Sequence, residues 1–168
     1  MSKDNEPLQR PSALLSKYFP FAPTSGQDAF FSKMDYFLLM DPEKKPTFVL
    51  RGYAGTGKTS VISALVKALP KLSMRSLLLA PTGRAAKVMS NYSGRAAYTI
   101  HKIIYKPKAE DGSLGGGFIL QKNYYKDTVF IIDESSMLAD DGGMSGNLLG
   151  DLISFVFHGQ NNRLILVG

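Results

Sequence analysis

Cysteine is absent from the 168 residues, and so is tryptophan. Without cysteine there is no disulfide framework, no thiol nucleophile and no Cys-ligated zinc or iron–sulfur centre. Histidine occurs twice, at His101 and His158, too few for a histidine-rich metal centre. No apolar run approaches the roughly 18 residues a membrane-spanning helix needs. The N-terminus, MSKDNEPLQRPSALL, has acidic residues and prolines where a secretory signal has an apolar core. These absences set a cytoplasmic location, with no membrane partner, as the expectation.

Acidic residues are scarce in one stretch. Residues 67–126 hold eleven Lys/Arg against only Glu110 and Asp111, a charge of +9, and the remainder carries −3, so the sum is the net +6. A segmental basic excess marks a polyanion partner, nucleic acid first, or else a solvated basic face with no partner. The hydrophobic fraction of 44% and charged fraction of 20% are ordinary for a globular chain. A chain of this length buries roughly 70% of its unfolded surface, so it needs no disulfide or metal staple.

Residues 1–11 read as a loose arm. SALLSKYF (12–19) follows as a short amphipathic helix with Ser12 as its N-cap, ended by Pro20 and Pro23. A second helix begins at Thr24 or Ser25 and places Ala29, Phe30, Met34, Phe37 and Leu38 at helical spacing. Four short runs, TFVLR (47–51), SLLLA (76–80), TVFII (128–132) and RLILV (163–167), are apolar on consecutive positions. That pattern predicts strands buried on both faces, as in a parallel sheet covered by helices. Helical patterns lie between them at 60–70, 83–92 and 144–159. The alternation predicts a doubly wound α/β domain. Residues 105–126 break it, with Pro107, four glycines and Lys106, Lys108, Lys122 and Lys126, and read as an excursion in the form of a small β-hairpin.

Residues 52–59, GYAGTGKT, match GxxxxGK[ST] between a predicted strand and a predicted helix. Glycines let the backbone wrap a phosphate with its N–H groups, and the helix N-terminus adds partial positive charge. In such a loop Lys58 reaches the β- and γ-phosphates and Thr59 ligates Mg²⁺. Gly52, Gly55, Thr56, Gly57, Lys58, Thr59 and Ser60 are therefore the candidate nucleotide-binding residues. VFIIDE (129–134) ends a strand in two acids, which the α/β architecture places at the ligand-binding edge of the sheet. Asp133 is the candidate Mg²⁺ carboxylate, and Glu134 the candidate base for an attacking water, a role that points to NTP hydrolysis. Lys58, Asp133 and Glu134 are the candidate catalytic residues.

Further motifs accompany these. GYAGTGKTS, APTGRAAKVM (80–89), YTIHKIIY (98–105), IIDESSML (131–138) and LILVG (164–168) resemble, in sequence, order and spacing, consecutive motifs of superfamily 1B DNA helicases of the RecD-like and Dda-like type. The resemblance runs from about Thr24 to Gly168. It implies a P-loop NTPase fold with a RecA-like parallel sheet flanked by helices, ATP and Mg²⁺ as cofactors, and single-stranded DNA as partner. It implies that Gln27 reads the adenine edge; a plain surface-helix glutamine is the alternative. It assigns the strand backbone to Thr82, Gly83 and Arg84 and to Thr99, His101 and Lys102. A salt-bridged helix start for Arg84, and a capping or core role for His101, stay open. The family's DEASM is DESSM here, with Ser135 for alanine and both acids intact. Relatives place a strand-separating pin where 105–126 falls; Phe118, Tyr124 and Tyr125 there either stack on bases or pack on the main domain.

The same resemblance implies a continuation of LVG into the rest of motif III and a second RecA-like domain with γ-phosphate arginines. It therefore implies that residues 24–168 correspond to a first motor domain ending within motif III, with 1–23 as an arm and short helix. It also places RLILV between the phosphate-loop strand and the motif II strand. The implied enzyme moves 5′-to-3′ along single-stranded DNA, in recombination or repair complexes or alone. This chain by itself is expected to bind nucleotide weakly, with little or no turnover. Two other readings were open: a P-loop nucleotide or sugar kinase, and a non-catalytic nucleic-acid-binding module with a relic phosphate loop.

Overall fold

The computed structural model describes residues 9–108, 117–139 and 146–168. Its core is a five-stranded, all-parallel sheet in the order β1-β7-β6-β2-β3. The strands are β1 (Thr47–Leu50), β2 (Arg75–Ala80), β3 (Ala97–Thr99), β6 (Thr128–Ile132) and β7 (Arg163–Val167). The chain enters through helices α1 (Pro11–Tyr18) and α2 (Ser25–Phe37), and α3 (Lys58–Ala68), α4 (Gly83–Ser93), α5 (Ile100–Ile104) and α6 (Leu148–His158) connect the strands. β4 (Tyr105–Pro107) and β5 (Phe118–Leu120) pair antiparallel as a separate two-stranded sheet, so the 105–126 excursion does contain a hairpin. Residues 109–116 between those strands lie outside the described residues.

The runs of consecutive apolar residues find their reason in two cores. Along β6, Val129 and Ile131 face a core built with α1, α2 and α3, while Phe130 and Ile132 face one built with α5 and α6. Neighbouring strand residues point to opposite faces. A strand covered on both sides must therefore be apolar throughout, and all five β6 residues are buried. β7 lies between β1 and β6, with Ile165 registered on both Phe48 and Ile131. Leu14 and Leu15 of α1 are buried in the same core as Phe31, Met34 and Leu65.

Several local expectations change. β1 is not buried on both faces: it is an edge strand, with Thr47 and Val49 exposed and Phe48 and Leu50 half-buried. Its run of apolar residues looks the same as those of the interior strands, but only one neighbour pairs with it. Ser12 does not cap α1. Pro11 occupies the first turn, and the Ser12 N–H and hydroxyl both donate to the Asp35 carboxylate, at 2.7 Å each, tying α1 to α2. In α2, Ala29 is exposed and Phe31 takes an inward place. β3 is an addition to the four predicted strands, its three residues being too few to give a sequence pattern. The last helix starts at Leu148, capped by the Asn147 side chain on the Gly150 N–H at 2.9 Å. The expected residues 144 and 145 of that helix lie outside the described residues.

A buried arginine fastens the entry helices to the sheet. Arg163, at the start of β7, donates to the carbonyls of Phe37, the last residue of α2, and of Met40 just past it, at 3.3 and 2.9 Å. Those carbonyls belong to a helix end, which lacks intrahelical donors. No described helix is long and apolar enough to cross a membrane.

Candidate nucleotide and strand-binding edge

Because all five strands of the main sheet are parallel, their C-terminal ends share one edge, where open α/β sheets bind ligands. Residues 52–57 follow β1 there, Thr82 follows β2, Thr99 ends β3, and Asp133 follows β6. Every segment singled out in the sequence for chemistry, apart from the start of α2 and the 105–126 hairpin, reaches this edge.

The loop after β1 wraps back on itself into α3. Gly55 and Gly57 have φ of 80° and 82°, a left-handed conformation that side chains disfavour by about 1–2 kcal/mol. Gly57 is the N-cap of α3, and no side chain fills the helix's first N–H groups. A Cβ at Gly57 would also collide with the Gln27 amide. Lys58 is the first residue of α3, and its ammonium donates to the carbonyls of Gly52 and, at 3.2 Å, Tyr53. The lysine is thus held within its own loop. Thr56 Oγ1 donates to the Tyr53 carbonyl at 2.8 Å. Thr59 is exposed and Ser60 half-buried in the first turn.

Gln27 reaches this loop from α2, twenty-nine residues away in sequence from Thr56. Its Oε1 accepts from the Thr24 N–H at 2.9 Å, its backbone N–H donates to Thr24 Oγ1 at 3.3 Å, and its Nε2 donates to the Thr56 carbonyl at 3.1 Å. The first two bonds form a capping box that starts α2; the third joins the helix start to the phosphate loop. A hollow of about 270 Å³ opens beside it, lined by Thr24, Gln27, Arg51, Gly52, Thr56 and Lys58 among others. Gln27 is thus a half-buried helix-start residue held against the phosphate loop.

Asp133 is half-buried and its carboxylate is fixed at both oxygens. Oδ1 accepts the Glu134 N–H at 2.9 Å, and Oδ2 accepts the Tyr92 hydroxyl at 2.8 Å. Burial, and then the hydrogen bond to Asp133, push the Tyr92 phenol well above the ordinary tyrosine range, so it stays a protonated donor. Sequence reasoning missed Tyr92: it lies 41 residues from Asp133 and sits in no recognised motif. Glu134 is exposed, with φ of 52°. A non-glycine residue held there stores about 1–3 kcal/mol, a cost found most often at functional sites.

The strand-contact candidates occupy two neighbouring helix starts. Thr82 caps α4, its Oγ1 accepting the Ala85 N–H at 3.2 Å. Thr99 caps α5, accepting the Lys102 N–H at 3.3 Å. Gly83 and Arg84 are exposed, and Arg84 makes no ion pair among the described residues. His101 is exposed, its ring 5.5 Å from that of Tyr105, which rules out a core role. Lys102 holds its ammonium 5.4 Å over the Tyr98 ring. The aromatics of the excursion divide: Tyr125 packs against Phe130 and Phe155, while Phe118 and Tyr124 are 55% and 78% exposed.

The chain is similar to several known proteins. A family model described as "AAA domain" matches residues 41–168. The ATP-dependent DNA helicase dda of Enterobacteria phage T4 is 41% identical over 63 residues, 37% of this chain and 14% of that protein. The ATP-dependent RecD2 DNA helicase of Deinococcus radiodurans is 33% identical over 124 residues, 71% of this chain and 15% of that protein. An uncharacterized protein of Methanocaldococcus jannaschii is 34% identical over 135 residues, 71% of this chain and 11% of that protein. The chain thus spans about a seventh or less of the length of these relatives. The chain belongs to the AAA domain family, and two of the relatives it resembles are ATP-dependent DNA helicases.

Proposed function

We propose that this chain is the ATP-binding and ATP-hydrolysing domain of a DNA helicase that moves along single-stranded DNA in the 5′-to-3′ direction, working with a second RecA-like domain of the same protein. The observation that carries the reading is the shared sheet edge. The phosphate loop, the paired acids and the two motif-bearing helix starts all emerge at the C-terminal ends of parallel strands. A kinase or a relic-loop binding module has no use for all three together.

The α3 N–H groups that no side chain caps, together with the helix's partial positive charge, receive the phosphate chain. Lys58 exchanges the Gly52 and Tyr53 carbonyls for β- and γ-phosphate oxygens. Gln27, already against the loop, contacts the adenine edge after shifting one of its amide bonds. Magnesium asks for oxygen donors and takes only one or two of them from the protein, the rest coming from phosphate and water. Thr59 Oγ1 and the Asp133 carboxylate are such donors and would hold it. When bound, the ion neutralises charge developing on the phosphates. Glu134 takes the proton from the attacking water. Thr82, Gly83, Arg84, Thr99, His101 and Lys102 contact the strand's backbone, within the segment of +9 charge. Phe118 and Tyr124, both exposed, stack on bases of the strand. Hydrolysis then opens and closes the cleft to the second domain and ratchets the strand. Turnover by this chain alone is weak, because the γ-phosphate arginines come from that second domain; such a residue contributes roughly 10³–10⁵ in rate.

The test is strand separation by the full-length protein with Lys58→Ala as control. Loss of unwinding in the variant is the expected result; unwinding that survives the substitution would refute the site.

A further inference from the structure

We propose that Tyr92 is a positioning residue for the Asp133 carboxylate, fixing it for Mg²⁺ through a hydroxyl carried by the same helix that begins at Thr82 and Arg84. The inference rests on the reading of Asp133 as the magnesium carboxylate and adds a residue to that site.

The geometry is specific. An ionised carboxylate offers about four lone-pair positions. Two are taken, one on each oxygen, by the Glu134 N–H and the Tyr92 hydroxyl. Donors on both oxygens stop the group from turning about its last bond, because any rotation breaks one of them. The remaining lone pairs keep a single orientation. Among the described residues Tyr92 is the one side chain donating to Asp133, and no cation pairs with it. The Glu134 N–H is local and comes with the turn; the hydroxyl is the contact that reaches across the fold.

The tyrosine is itself well anchored. Its ring packs against the core that contains Met89, Leu78 and Ile131, leaving the hydroxyl at the sheet edge. α4 is eleven residues long and unbroken, with its threonine-capped start near the proposed strand contacts and Tyr92 in its last turn. One rigid element therefore spans from the strand-contact residues to the motif II carboxylate. A partner of this kind orients the direct ligand, and losing one typically costs 10–100-fold in metal affinity or activity.

The test uses the 168-residue chain and a fluorescent, non-hydrolysable ATP analogue titrated at fixed Mg²⁺ concentrations. Wild type, Tyr92→Phe, Asp133→Asn and the double variant are compared, with Lys58→Ala as the control for the phosphate site. Tyr92→Phe is expected to need roughly 10-fold more Mg²⁺ for the same gain in nucleotide affinity, with metal-free binding and thermal midpoint close to wild type. In the Asp133→Asn background the Tyr92→Phe change should have no further effect on Mg²⁺ dependence, because both act on one carboxylate. An unchanged Mg²⁺ requirement in Tyr92→Phe, or a loss that adds in full to that of Asp133→Asn, would overturn the inference. Failure of the inference alone leaves the Lys58→Ala defect in place. Wild-type-like binding by Lys58→Ala, or no binding by wild type, would sink the phosphate-site reading and this inference with it.

Discussion

Helices α3 and α4 begin in the same way and end up differently equipped. Each follows the C-terminal end of a parallel strand of one sheet, and each is eleven residues long. At α3 the capping position is Gly57, which has no side chain to offer. At α4 it is Thr82, whose hydroxyl already occupies the Ala85 N–H. Replacing a hydroxyl cap by glycine costs only a few tenths of a kcal/mol. The helix therefore gives up little stability with Gly57 at its cap. The lesson is that one βα turn leaves its helix start without a side-chain cap, while the other closes its helix start with a threonine hydroxyl. Arg84 on α4 has no ion pair among the described residues, whereas the Lys58 ammonium on α3 is held by carbonyls of its own loop.

Substitutions can break that comparison at several depths. The largest effect is expected from Glu134→Gln in the full-length protein, where ATP hydrolysis falls roughly 10²–10⁴-fold while nucleotide affinity is retained; steady-state turnover and equilibrium binding check the two halves. Lys58→Ala comes next, lowering hydrolysis about 10²–10³-fold, and here affinity should fall as well. Gly57→Thr gives α3 the cap of α4. It forces a β-branched residue to a φ of 82°, for which a loss of about 1–2 kcal/mol in stability is expected, together with loss of nucleotide binding in a fluorescence titration. Thr82→Ala removes the α4 cap and costs about 1 kcal/mol, read from denaturant unfolding. Nucleotide binding should be untouched by that change, and a substantial nucleotide defect would show that the two helix starts are not separate. The smallest effect is that of Arg84→Ala. Single-stranded DNA affinity should weaken evenly across sequences, and the dependence of log affinity on log salt should flatten by roughly one unit or slightly less.

Much of this arrangement was legible in the sequence because it rests on local chemistry. GYAGTGKT encodes a left-handed glycine turn before a helix, and VFIIDE encodes a buried strand with acids at its end; both need only their own residues. The interior strands announce themselves by being apolar on both faces. β1 does not obey that rule, because its place at the edge depends on the order of the strands and not on its own residues. Ser12 shows a similar limit: it fits a cap, but the Asp35 carboxylate twenty-three residues away outcompetes the helix for it. Tyr92 marks the furthest reach. A tyrosine late in a helix with a core-facing ring reads as packing, and only the fold brings its hydroxyl to Asp133. Gln27 lies between these cases, since its capping box is local and its bond to Thr56 is not.

The central claim is that one sheet edge joins ATP hydrolysis to a bound single strand. The most direct measurement is ATP hydrolysis by the full-length protein with increasing oligo-dT, for wild type and for Lys58→Ala. The account predicts hydrolysis that rises with the oligonucleotide in wild type and stays near zero at every concentration in the variant. Hydrolysis indifferent to the oligonucleotide, or equal in both proteins, would contradict it.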